Sequence, residues 1–493
     1  MNDFITSLRD ILLYDKQSPL LFNTGLFLLL FVLFLLVYEF LSGHRKIKMI
    51  FVILFSLYFY YKSSAECCFI LLGVCLFDFI LGNLLGAAKS DVARRSMVAV
   101  NVIVNVGMLV YFKYFNLLLE AFASITSSDF DPLQIILPAG ISFFTFRSIS
   151  YIVDIYRGEM KPCTNFLNYT FYLTFFPPLL AGPVVRAKDM LPQVEKAAPA
   201  TQEMISSGFF LIICGLVKKV IIADYISGNF VDRIFDNPSL YTGFENLMGI
   251  YGFTLQLYCD FSGYSDMAIG LALLLGFRFK DNFNSPFKSQ SPQEFWRRWH
   301  ISLSLWLRDY LYIPLGGSRT KKKWQSHANL ITTMALGGLW HGASLMYIIW
   351  GVWNGILLVL HKIYKNILGI GKDDRPGFLR RLFNIFCTFN LMAFGFMFFR
   401  SESMEKVKEM LHQILFSFHA DVAPQFLDGY LLIVIAIILG YALHFTPHSW
   451  FLWTQKHFSR VPYAVQALIV ALIILVIIQV RSSDLVPFIY LQY

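Results

Sequence analysis

Long uninterrupted apolar runs decide most of what this chain can become. Residues 24–42, 67–85 and 463–480 carry very few charges. Each is close to the roughly 20 apolar residues that an α-helix needs to cross the hydrocarbon core of a bilayer. The rest of the chain agrees. Of its 493 residues 56% are hydrophobic and only 15% charged, whereas a soluble domain carries about 25% charged residues. The expected fold is therefore an all-α polytopic membrane protein.

Apolar segments fall at 24–42, 48–61, 66–87, 97–119, 135–152, 165–183, 205–227, 244–276, 328–362, 379–400, 427–445 and 463–482. They predict about 11 transmembrane helices, with interfacial or re-entrant helices besides. Segment 135–152 contains Pro138 and Gly140 and reads as re-entrant. Segments 244–276 and 328–362 exceed one simple crossing and are expected to bend or divide. Residues 364–381 form the best linker candidate, and 402–423 reads as an amphipathic, interfacial stretch. Without an internal repeat or low-complexity tract, a single membrane domain over 1–493 is the simplest organisation.

Charge sets an orientation. Arg45, Lys46 and Lys48 follow the first apolar segment, and Lys89, Arg94 and Arg95 follow the third. The loops after the second and fourth are weakly charged or acidic. The positive-inside rule then places the first and third loops in the cytoplasm and the N-terminus outside. Residues 280–323 hold nine Lys or Arg and should also be cytoplasmic. The formal charge of +9 is read this way rather than as a nucleic-acid footprint, since no nucleic-acid motif accompanies it. The first residues lack the basic region and short apolar core of a cleaved signal peptide. Seven cysteines, without CxxC spacing and mostly in apolar segments, argue against a disulfide framework.

Polar residues inside apolar segments are the candidates for chemistry, because an ionisable group at membrane depth is costly. His341 lies in GGLWHGAS (337–344), where five of its seven neighbours are Gly, Ala or Ser. Small residues let helices approach closely, or they leave room for a ligand beside the imidazole. Both readings stay open. In FWRRWHISLSLWLRDY (295–310), Arg297, His300, Ser304 and Arg308 recur at spacings of three, four and four, which makes one polar stripe on a helix. The stripe suits an interfacial helix with its arginines at headgroups, or a donor-binding face. In DFSGYSD (260–266), Asp260, Ser262 and Asp266 sit between apolar flanks. The carboxylates are six apart, so they diverge on a straight helix or flank a break at Gly263. Either can orient a histidine or pair with Arg. The histidines are not at metal-ligand spacing, and no metal site is expected.

These motifs together resemble the membrane-bound O-acyltransferase family. The resemblance rests on DFSGYSD (260–266), WRRWH (296–300), RDYLYIPLGG (308–317) and GLWHG (338–342), with GISFFTF (140–146), FFPPLLAGP (175–183) and PFIYLQY (487–493). It is similar in particular to the bacterial branch that O-acetylates alginate and related polysaccharides. Pro178 and Leu491 depart from the family pattern. The resemblance implies a helical bundle around a central tunnel in the bacterial cell inner membrane. It implies that His341 is the catalytic histidine and that His300 occupies the second polar position. The donor would be acetyl-CoA, with no tightly bound cofactor. The acceptor would be an extracytoplasmic polysaccharide, reached in part through a periplasmic SGNH-type acetyltransferase.

The expected chemistry is attack of a hydroxyl on a thioester carbonyl, with an imidazole removing the proton. His300, or a nearby hydroxyl or amide, would orient the donor or stabilise the oxyanion. Arg297 and Arg308 can grip phosphate through paired hydrogen bonds, while Lys321–Lys323 serve topology and lipid headgroups. Two other readings compete: D-alanyl transfer to teichoic acid, and transport without catalysis, which the missing repeat symmetry disfavours.

Overall fold

The computed structural model describes residues 11–16, 18–371, 376–480 and 488–489. It is helical, with no strand among the described residues. Arg45–Ala87, Asp91–Thr126, Gln202–Asp236, Leu345–Ile367 and Phe378–Arg400 are long and apolar enough to cross a bilayer. Ala420–Gly429 and Leu431–Phe445, bent by 98°, add a sixth span if taken together. The chain is thus a multi-pass helical membrane protein. Among the described residues these helices account for five or six of the roughly eleven spans expected. Some apolar runs became short helices, such as Gly25–Phe40 with 16 residues and Phe166–Thr174 with nine. Others keep their length but carry charge.

The described residues group into two compact units. One takes residues within 1–205 together with 271–279, the other 206–270 together with 280–493. In the first, segment 135–152 becomes the Ile141–Tyr156 helix, entered through Gly140 at φ +69°. A Cβ on Gly140 would lie 2.6 Å from the Leu179 carbonyl oxygen. Two turns on, the buried Arg147 guanidinium donates to the carbonyls of Tyr172, Leu173 and Pro178. GISFFTF and FFPPLLAGP are therefore two sides of one contact. Position 178 contributes its backbone, which explains why proline serves there. Nearby Asp78 accepts from Asn101, Ser148 and Tyr169 at 3.0, 2.7 and 2.8 Å.

Segment 244–276, most of it in the second unit, does not divide. Gly243–Leu274 is one helix of 32 residues. Gly263 does not break it. A Cβ there would lie 2.8 Å from the Gly215 carbonyl oxygen, and one on Gly270 2.6 Å from that of Gly208. The glycines form a seam along which the Gln202–Leu216 helix approaches the long one. Segment 328–362 does divide. Lys323–His341 ends, residues 342–344 turn, and Leu345–Ile367 starts with Ser344 Oγ accepting the Met346 N–H. The Met404–Phe416 helix buries Val407 and Met410 on one face, as an amphipathic stretch should. Of the proposed linker, 372–375 lie outside the described residues, as do 487 and 490–493 of the terminal motif.

Candidate active site

The polar stripe expected on one helix is broken at its centre. Pro292–Arg298 is a short helix that starts at Ser291, whose Oγ accepts the Glu294 N–H. The Glu294 carboxylate accepts the Gln290 N–H in return, and Pro292 sits in the first turn, where its missing N–H costs nothing. Trp299 then turns extended, and His300 takes a left-handed conformation at φ +40° before Ile301–Leu307 begins. A non-glycine residue held there costs on the order of 1–3 kcal/mol, so surrounding contacts must impose it. They come from the loop before. Asn284 donates its N–H to the Arg298 carbonyl at 2.9 Å, and Ile301 donates its N–H to the Asn282 carbonyl at 2.9 Å. The loop satisfies the backbone groups that the break exposes. Trp299 anchors the corner, stacked on Phe295 and edge-on to Phe283.

The corner aims His300 inward, where it is 1% exposed. Its Nδ1 lies 3.1 Å from Asn282 Oδ1. The same oxygen accepts the Ser302 N–H and the Ser302 hydroxyl, while Asn282 Nδ2 donates to Ser265 Oγ. A backbone N–H can only donate, so the atom facing Ser302 must be the amide oxygen. His300 Nδ1 therefore carries a proton, and in the neutral ring Nε2 carries the lone pair. Burial holds the His300 pKa well below the ordinary imidazole range. Phe261 stands edge-on to the ring at 4.6 Å between centroids.

His341 is the last residue of its helix and is also buried. Trp340, Trp350 and Phe399 surround it with centroids at 4.8, 5.1 and 5.1 Å. Trp340 lies between the two imidazoles, 6.3 Å from His300. The small residues of GGLWHGAS now have an explanation. A Cβ on Gly338 would lie 2.2 Å from the Tyr347 carbonyl oxygen, and one on Gly351 2.3 Å from that of Met334. A Cβ on Gly342 would meet the Tyr347 ring at 2.3 Å. At these three positions the missing side chains let the two helices touch, and they leave no room for a ligand.

The family model for membrane-bound O-acyltransferases matches residues 157–404, which include both histidines. A probable alginate O-acetylase of Pseudomonas aeruginosa is 41% identical over 405 residues, covering 81% of this chain and 75% of that protein. The chain belongs to the membrane-bound O-acyltransferase family. A peptidoglycan O-acetyltransferase of Helicobacter pylori is 35% identical, over 80% of this chain and 79% of its own length. A teichoic acid D-alanyltransferase of Bacillus subtilis is 29% identical, but over 54% of this chain and 70% of its own.

In this acyltransferase the remaining predicted residues lie apart from the imidazole pair, or serve it indirectly. Arg297 is exposed. Arg308 is exposed and pairs with its neighbour Asp309 at 2.7 Å. Ser304 Oγ donates to the Trp299 carbonyl, a local contact. Asp260 and Asp266 pair with lysine rather than arginine. Lys219 Nζ lies 2.6 Å from Asp260 and 2.7 Å from Asp224, and Lys218 Nζ lies 2.7 Å from Asp266. The adjacent lysines belong to a π-helical stretch, Val217–Asp224. Asp260 Oδ2 also accepts the Ile489 N–H at 2.9 Å, beside Phe488, whose ring lies against Tyr264 and Lys219. Ser262 is buried on the same helix. Asn282, which fixes the His300 tautomer, escaped the sequence reading. An asparagine in a polar loop carries no periodic signal.

Proposed function

We propose that this acyltransferase takes an acetyl group from acetyl-CoA at the cytoplasmic face of the cell inner membrane and delivers it through a central tunnel for O-acetylation of an extracytoplasmic polysaccharide. The observation that carries the reading is the pair of buried imidazoles, His300 and His341, on either side of Trp340. His341 is the general base. It takes the proton of the attacking hydroxyl as the oxygen closes on the thioester carbonyl, and it returns the proton to the departing thiolate of coenzyme A. His300, with its Nε2 lone pair, suits accepting a hydrogen bond from that hydroxyl better than donating one to an oxyanion. A ring of aromatic side chains keeps water away and limits hydrolysis of the thioester.

Acetyl is favoured over D-alanyl because the O-acetylating relatives align over about four-fifths of the chain. They also favour a polysaccharide acceptor, reached directly or through a periplasmic SGNH-type acetyltransferase. The test uses His341→Ala in cells, with polymer-bound acetate and the amount of membrane-inserted protein measured together. Acetate is expected to vanish while the protein accumulates. Near-normal acetylation would remove His341 from the mechanism, and D-alanyl ester in place of acetate would overturn the choice of acyl group.

A further inference from the structure

A cavity of about 260 Å³ opens in the second unit, at the opposite end of the helix that bears His341. One water needs roughly 10–15 Å³ of such space, so the cavity can hold a polyatomic group. Ser318, Thr320, Lys323, Ser326, His327, Lys362 and Asn366 contribute its polar lining. None of the lining residues is acidic. Lys362 Nζ donates to Ser326 Oγ at 3.0 Å, which aims one ammonium across the cavity and leaves two of its protons for another acceptor. Lys323 opens the Lys323–His341 helix, and Lys322 before it makes no side-chain cap. The first-turn N–H groups add to the positive end of the helix dipole there. Two ammonium groups, three hydroxyls and a helix start without a neutralising carboxylate match a phosphate anion.

The surroundings say where that phosphate comes from. Ile363 and Ile367 line the cavity and are exposed, as are Trp324, Leu360 and Tyr364 nearby. An exposed apolar surface carrying Trp and Tyr beside lysines is the pattern of a membrane boundary. We propose that this cavity binds the phosphate headgroup of an anionic phospholipid, with the acyl chains against the exposed Leu345–Ile367 helix. The site is independent of the acetyl-transfer reading. It ties together the two helices whose turn carries His341.

The full chain, purified in detergent, would be titrated with phosphatidylglycerol, phosphatidylcholine and coenzyme A, and binding read by native mass spectrometry. Phosphatidylglycerol is expected to bind well ahead of phosphatidylcholine. Lys323→Gln with Lys362→Gln should weaken phosphatidylglycerol roughly twenty-fivefold, the product of about fivefold for each lysine near a lipid surface. Lys321→Gln with Lys322→Gln removes the same charge outside the cavity and should change binding less than about twofold. Lys323→Gln alone sits on an exposed position and should weaken binding about fivefold without disturbing the fold. Equal loss in both double variants, or equal binding of the two lipids, would overturn the site. Coenzyme A displacing phosphatidylglycerol from the wild type and failing to bind the cavity variant would make a soluble phosphate compound the occupant instead.

Discussion

His300 and His341 are both buried, and both lie against Trp340, yet the protein holds them by different means. His300 sits on a strained backbone in a hydrogen-bonded lattice that runs through Asn282 to Ser265 and Ser302. His341 ends a close-packed glycine hairpin and is enclosed by aromatic rings. A hydrogen-bonded lattice selects a tautomer, whereas packed rings fix position. A group that must take up and release a proton each cycle is better served by the second arrangement. A group that only orients a partner is better served by the first.

A set of variants can break or sharpen this contrast. His341→Ala should cost most, about 10²- to 10⁴-fold in turnover, the usual weight of a positioned acid–base group. His300→Ala should cost distinctly less, and equal losses would dissolve the division of labour. Gly338→Ala forces a methyl group toward the Tyr347 carbonyl, and a displaced base of about 1 Å is worth roughly a hundredfold in kcat. Normal kcat there would show that the hairpin does not set the His341 position. Asn282→Ala removes the acceptor of His300 and should lower kcat about tenfold. Asn282→Asp restores an acceptor and should recover most of that rate. It should also move the acid limb of the pH profile upward, because a carboxylate beside the ring favours its charged form. Rescue without that movement would make Asn282 a packing residue only. The smallest effect belongs to the exposed arginines. Arg297→Gln or Arg308→Gln should raise the KM for acetyl-CoA roughly fivefold with kcat kept. A combined Lys321–Lys323→Gln variant should change it less, and identical behaviour would make the arginines structural.

The two histidine regions also differ in how far the sequence discloses them. The His341 segment was legible because its glycines and its apolar neighbours are contiguous, although only the paired helix shows that Gly338 and Gly342 accommodate Tyr347. The His300 segment misled. Its three-and-four spacing fits a helix, and neither Gly nor Pro marks the break, so nothing local announces a left-handed histidine. The break is imposed by the 282–284 loop, a tertiary cause invisible to periodicity. Gly263 erred in the other direction. It reads as a breaker in isolation and proves to be a point where a second helix comes close. The lysine partners of Asp260 and Asp266 lie more than 40 positions earlier, on a segment whose own pattern is apolar.

The contact between Ile489 and Asp260 spans 229 positions, and that separation gives it a place in time. One oxygen of Asp260 can find Lys219, 41 residues upstream, as soon as the long helix emerges from synthesis. The other must wait until the intervening helices have been made and inserted. Entropy resists closing so long a loop only weakly, since the cost grows with the logarithm of its length. Order of appearance therefore sets the schedule, and the carboxylate that anchors the long helix stays half-satisfied until residue 489 has been made. Truncation ahead of Phe488 should leave the helices inserted but more open to proteolysis, and unchanged protease resistance would show that the clasp adds nothing. The contact thus serves as a late clasp, one that forms only after the helices between residues 260 and 489 have been made.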